Sequence, residues 1–273
     1  MTSNTRPLHE FIIDVGSSVQ INYFDSGGDG HAVVILHGLA GSAREFFQTA
    51  AALPGFRTIL IDLRGHGRST RRPDDLSRET FVDDVVHVID AVVGDPVTLV
   101  GQSMGGHTAM LLAAARPDLV HQLVLLETGA GSGNHIQNEA MGEFFSSWPV
   151  PFANHAAARE FLGDGALAKA WADDLEERHD GLWPRFDPEV MVSAINEVSV
   201  PRWEEWESVL APTLVVYGEH GMFTPGEKSE FALRGRNVQL HDLVGASHDA
   251  HLDAFDEWVS VLSSFLPTRP SAR

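Results

Sequence analysis

The sequence predicts an α/β protein with a mostly parallel sheet of about eight strands, helices on both faces and one inserted helical cap. Three observations carry this. Short, continuously apolar runs recur along the chain, as in Ala32-Val33-Val34-Ile35-Leu36. Such runs mark strands buried on both faces. Helix-compatible segments alternate with them, the pattern of a parallel sheet wrapped by crossover helices. Between residues 129 and 207 the alternation stops, and five of the six tryptophans fall there.

In order, Phe11–Val15 and Val19–Tyr23 alternate in polarity around Gly16-Ser17-Ser18 and read as an antiparallel hairpin. After Ala32–Leu36 come the buried runs Thr58–Ile61, Val97–Val100, Leu123–Leu126 and Thr213–Tyr217, with Val238–Leu243 as the last strand. Helical patterns cover Ser42–Leu53, Glu79–Val93, Met104–Ala115 and Pro225–Leu233, and Asp249–Leu266 reads as one closing helix. The core is therefore expected over residues 1–128 and 208–273. The cap, 129–207, is expected to open on the hinge Gly129–Gly133, to contain helices such as His155–Leu162 and Ala166–Arg178, and to hold no strand. The tail Pro267–Arg273 reads as disordered.

Composition narrows the partners. The chain has 38 acidic and 19 basic residues among 273, a formal charge of −19. Such a surface repels nucleic acid and anionic membranes. No apolar run reaches membrane-spanning length, and Met1–Glu10 lacks the apolar stretch of a secretory signal, so a cytoplasmic monomer or homodimer acting on a small molecule is expected. With no cysteine, thiolate catalysis and Cys-ligated metals are excluded.

In a parallel sheet the ligand sits beyond the carboxyl ends of the strands, and the chemistry-bearing residues lie there. Gly101-Gln102-Ser103-Met104-Gly105 follows a buried strand and opens a helix. On so tight a turn a serine is lifted above the sheet, at a helix N-terminus that favours developing negative charge. His37-Gly38-Leu39 follows the first buried strand, and Asp62-Leu63-Arg64-Gly65-His66-Gly67-Arg68-Ser69 follows the next.

With these three motifs in this order, the chain resembles the α/β-hydrolase superfamily, and within it the capped esterases, lactonases and C–C hydrolases. The resemblance covers nearly the whole chain; only the cap departs into unmatched sequence. It implies Ser103 as nucleophile and the backbone N–H groups of Leu39 and Met104 as oxyanion hole, with the Asp62–Ser69 segment structural. His37 and Gly38, with Trp148 and Trp183 of the cap, are expected to line the substrate pocket. No cofactor and no metal are implied.

A serine hydroxyl needs a base, and His248 in Gly245-Ala246-Ser247-His248 matches the superfamily's catalytic-histidine loop; His251 is the nearest substitute. The acid departs from the pattern. The usual Asp follows the strand at Thr213–Tyr217, but here Gly218-Glu219-His220-Gly221 places Gly221 in its position. Some members, including certain haloalkane dehalogenases and lipases, carry the acid one strand earlier, which here is Glu127. Glu127 is the expected acid and Glu219 the alternative. The expected reaction is hydrolysis of a small ester or lactone with a hydrophobic or aromatic group. C–C bond hydrolysis, acyl transfer and a slow-turnover binding role are the other readings of the same fold.

Overall fold

The computed structural model describes residues 6–131, 133 and 135–267. Ser132 of the expected hinge and residues 268–273 of the tail lie outside the described residues.

Successive side chains of a strand point to opposite faces, so a fully apolar strand demands cover on both. In the central strands, Val34, Leu36, Leu123, Leu125, Val215 and Tyr217 enter one core, while Val33, Ile35, Val124, Leu126, Leu214 and Val216 enter the other. The strands are β1 (His9–Gly16), β2 (Val19–Asp25), β3 (Ala32–Leu36), β4 (Arg57–Ile61), β5 (Val97–Gln102), β6 (Val120–Leu126), the short β7 (Glu176–Arg178) and β8 (Gly181–Trp183), β9 (Thr213–Gly218) and β10 (Val238–Leu243). Eight of them form one sheet in the order β1-β2-β4-β3-β5-β6-β9-β10. The β1–β2 and β2–β4 pairs are antiparallel and the rest parallel.

The helices of the core are α1 (Phe47–Ala51), α2 (Arg78–Val92) and α3 (Met104–Ala115). Between β6 and β9 the chain forms α4 (His135–Ser146), α5 (His155–Leu162), α6 (Ala166–Asp173), α7 (Pro188–Val198) and α8 (Trp203–Ser208). After β9 come α9 (Pro225–Arg234), α10 (Ala250–Asp253) and α11 (Phe255–Phe265). No helix among the described residues is long and apolar enough to cross a membrane.

Register places the site. Gln102 pairs with Leu126, Leu126 with Val216, and Leu243 with Gly218. The residues that follow β5, β6, β9 and β10 therefore emerge side by side at one edge.

Four local expectations are corrected. The cap does contain strands: β7 and β8 pair as an antiparallel hairpin, and Phe152 joins Leu182 in an isolated bridge. Helix α6 consequently stops at Asp173 rather than Arg178, with Asp174 turned to Arg44 (3.0 Å). The closing helix breaks at Ala254, whose φ of −120° and ψ of 41° are not helical, so α10 and α11 are separate. Ser42–Leu53 begins as a 3₁₀ turn, Ala43–Phe46, before α1. A third apolar cluster, with Phe145, Trp148, Phe152, Leu175, Phe186 and Met191, closes the cap onto Ala40 in the loop after β3.

Candidate active site

Ser103 stands between β5 and α3 with φ 52° and ψ −117°, a backbone state that L-residues occupy only when the surroundings enforce it. The enforcement is close packing. A Cβ on Gly101 would lie 2.4 Å from the Gly105 carbonyl oxygen, and one on Gly105 would lie 2.4 Å from that of His37. Strand, helix and loop approach so closely only because both positions are glycine. The Ser103 N–H donates to the Leu126 carbonyl at 2.9 Å, tying the turn to β6.

One residue beyond Leu126, Glu127 also adopts a positive φ of 50°. Its side chain is fully buried and both its carboxylate oxygens are engaged. Oε1 accepts from the Gly218 N–H (2.7 Å), and Oε2 accepts from the Met222 N–H (3.0 Å) and meets His248 Nδ1 at 3.0 Å. An acceptor-only carboxylate puts the proton on Nδ1, which leaves Nε2 with its lone pair free. The Gln102 side-chain amide donates to the His248 carbonyl at 3.2 Å and ties the histidine loop to the end of β5. A Cβ on Gly221 would sit 2.0 Å from Glu127 Oε1 and 2.4 Å from its Cδ. The Glu127 carboxylate thus occupies the space that a side chain at 221 would need: the carboxylate and the glycine are complementary.

Glu219 lies elsewhere. It is exposed, and its carboxylate accepts from the Gly245 N–H at 2.9 Å. His251 is enclosed, stacked on Phe46 at 4.3 Å, with Nε2 3.5 Å from Glu45.

The expectation that His37 touches substrate is corrected. Its ring is fully buried: Nε2 accepts from the Leu63 N–H (3.0 Å), so Nδ1 carries the proton and donates to the Gly38 carbonyl (2.7 Å). Burial drives its pKa down to about 4, so the ring is neutral at working pH. Because C=O and N–H point oppositely across a trans peptide, holding the Gly38 oxygen sets the direction of the Leu39 N–H. The Leu39 and Met104 N–H groups donate to nothing among the described residues. Gly38 itself borders the elbow, where an added Cβ would stand 3.3 Å from Ser103 Cβ.

A free imidazole nitrogen, a raised serine and two uncommitted N–H groups make an arrangement suited to acyl transfer. A family model described as alpha/beta hydrolase fold matches residues 31–162. The sn-1-specific diacylglycerol lipase ABHD11 of Mus musculus is 30% identical over 269 residues, covering 90% of this chain and 84% of that protein. The chain belongs to the α/β-hydrolase family. A 2-hydroxy-6-oxononadienedioate/2-hydroxy-6-oxononatrienedioate hydrolase of Paraburkholderia xenovorans (strain LB400) is 28% identical, covering 97% of this chain and 99% of that protein. Among solved structures, E-2-(acetamidomethylene)succinate hydrolase superposes with a TM-score of 0.86 at 19% identity, covering 95% of this chain and 99% of the other.

In this α/β hydrolase the cap residues divide. Trp148 is buried among Phe144, Phe145, Phe152, Trp171 and Phe186, and with Ala40 and Gly41 it borders a narrow space of about 20 Å³ over the loop after β3. Trp183 does not join it. Its indole N–H donates to Asp180 (3.0 Å) and Arg178 covers its ring (5.1 Å), so it is held by its own hairpin, half-buried and apart from the Trp148 cluster. Asp62 is structural: its buried carboxylate accepts from the N–H groups of Ala43 and Arg68 and from the Asn22 amide, at 2.8–2.9 Å. Among the described residues no group of three or more His, Cys, Asp or Glu could hold a metal ion. Sequence reasoning did not single out Gln102 or Thr128, whose partners lie 146 and 25 residues away.

Proposed function

We propose that this hydrolase cleaves a carboxylic ester or lactone of a small, hydrophobic or aromatic substrate through an acyl-enzyme on Ser103. The observation that carries the proposal is the Glu127–His248 hydrogen bond of 3.0 Å, with Glu127 seated where the superfamily's usual Asp would stand. Glu127 holds the ring with Nε2 available and stabilises the imidazolium. His248 takes the Ser103 proton as Oγ attacks the carbonyl carbon. The Leu39 and Met104 N–H groups receive the oxyanion, a contribution of about 3–4 kcal/mol per donor in comparable sites. His248 then returns the proton to the leaving alcohol, and water, activated by the same nitrogen, releases the acid. No cofactor takes part. The aromatic cluster around Trp148 supports an apolar acyl group.

C–C hydrolysis of a dicarboxylate, the chemistry named for the Paraburkholderia relative, is the second reading. Four of the cap's five cations weigh against it. Arg159 pairs with Asp173, Arg178 with Glu176, Arg185 with Asp174 (3.4 Å), and Arg202 with Glu79 (2.7 Å) and Glu205 (2.9 Å). These four are already neutralised by carboxylates, whereas a dicarboxylate substrate needs a cation held open for it; Lys169, the fifth cation of the cap, forms no ion pair among the described residues. A panel of p-nitrophenyl esters, aryl lactones and dicarboxylate vinylogous diketones tests the choice. Turnover of esters at least about 100-fold above diketones, a gap of roughly 2.7 kcal/mol, is expected; the reverse order would overturn the reading.

A further inference from the structure

The two residues after β6 face opposite ways. The strand lies between β5 and β9, and the positive φ of Glu127 kinks the chain at its end. Glu127 then reaches toward β9 and His248, while Thr128 turns back to the elbow, where its Oγ1 donates to the Ser103 carbonyl at 2.9 Å. Thr128 is buried, at 3% exposure. Its methyl and Cβ fill the slot left by Gly106, since a Cβ on Gly106 would come within 2.8 Å of both. Its own carbonyl accepts from the Tyr217 hydroxyl at 2.9 Å, which anchors it to β9.

The Ser103 carbonyl shares a peptide plane with the Met104 N–H, and the two point in opposite directions. Its other bond is the first of α3, from the His107 N–H at 3.0 Å. That bond fixes the plane along the helix axis; a second donor from a different strand end removes the remaining rotation. We infer that Thr128 is a positioning residue, whose hydroxyl holds the Ser103–Met104 peptide so that the Met104 N–H points at the developing oxyanion. His37 does the equivalent for the Gly38–Leu39 peptide, so each oxyanion donor is aimed by a side-chain hydrogen bond to the carbonyl of its own peptide. In this way the dipeptide Glu127-Thr128 sets both the base and one of the two donors of the oxyanion hole. The inference rests on the acyl-enzyme reading above.

The test compares Thr128→Val, which keeps the shape and removes the donor, with Thr128→Ser, which keeps the donor. Three readouts are taken on the full chain: kcat/KM for p-nitrophenyl butyrate, affinity for a trifluoromethyl ketone that forms a tetrahedral adduct, and melting temperature. Small displacements at such sites change rates by about 10- to 100-fold. Thr128→Val is expected to lower kcat/KM and ketone affinity by the same factor, about tenfold or more, with Thr128→Ser within about threefold of the parent. If Thr128→Val changes both by less than about twofold, or if Thr128→Ser loses as much as Thr128→Val, the inference is overturned. Loss of kcat/KM without matching loss of ketone affinity overturns it too. Phosphonate labelling of the unmodified enzyme separates the two readings: no label on Ser103 removes the acyl-enzyme itself, whereas labelling with an unaffected Thr128→Val removes only the role of Thr128.

Discussion

Moving the acid from Glu127 to position 221 probes the site most sharply. Glu127→Gln keeps the shape but offers one amide oxygen to three donors, the N–H groups of Gly218 and Met222 and Nδ1–H of His248. At least one is left facing an NH₂ group, and the imidazole loses its preferred tautomer. The corresponding change in a Ser-His-Asp enzyme costs about 10⁴ in turnover, or roughly 5.5 kcal/mol. We expect a fall of about 10³–10⁴ in kcat/KM for a p-nitrophenyl ester, while Glu219→Gln, on an exposed residue bonded to Gly245, stays within about twofold. Gly221→Asp alone sets a Cβ 2.0 Å from Glu127 Oε1 and crowds two carboxylates together, so it too should be nearly inactive. Glu127→Gly suits the positive φ of 50° and empties that space. Combined with Gly221→Asp it should recover about 10- to 100-fold over Glu127→Gly alone, a coupling of at least about 1.4 kcal/mol in a double-mutant cycle. The reasoning is refuted if the double variant, shown by its melting curve to be folded, is no better than Glu127→Gly, or if Glu127→Gln keeps more than about a tenth of the activity.

Two further predictions concern pH. Burial, with Asp174 and Asp62 close by, pushes the Glu45 carboxyl up to about 8, so the folded state holds a proton that the unfolded state releases near 4.5. That stabilisation is complete below 4.5 and is lost as pH rises through about 8, at a rate of up to about 1.4 kcal/mol per pH unit in between. Melting temperature should fall from pH 6 to 9 in the parent and fall less in Glu45→Gln, and parallel curves would reject the assignment. Burial also lowers His37 and His251 to about 4 and His66 to about 3. Their unfolded forms take up protons below about 6.5, so the stability that these three rings contribute is full above that pH and is lost as pH falls toward 4. A melting temperature that stays flat from pH 7 to 4.5 would contradict this.

What the sequence disclosed follows from the range of the interactions. The central strands were legible because burial on both faces leaves continuous apolar runs such as Ala32–Leu36 and Leu123–Leu126. The Glu127–His248 contact was legible through an absence: Gly221 in a carboxylate's place directs attention to the neighbouring strand end, and there Glu127 stands, 3.0 Å from the imidazole. The cap hairpin was not, because three-residue strands carry no usable period and the pairing of Leu182 with Phe152 spans a helix pair. His37 read as a substrate contact because its motif lies on the oxyanion loop, yet the Leu63 N–H turns the ring inward. Thr128 left no trace, since one hydroxyl-to-carbonyl bond between adjacent strand ends imposes no pattern on the chain.

The proposed mechanism stands on Ser103 as the carrier of the acyl group. Incubation with a fluorophosphonate, followed by peptide mass spectrometry and assay of residual esterase activity, tests it directly. One phosphonyl adduct is expected, on Ser103, appearing in step with loss of activity and absent from Ser103→Ala. An adduct on another residue, or ester hydrolysis undiminished in Ser103→Ala, would contradict it.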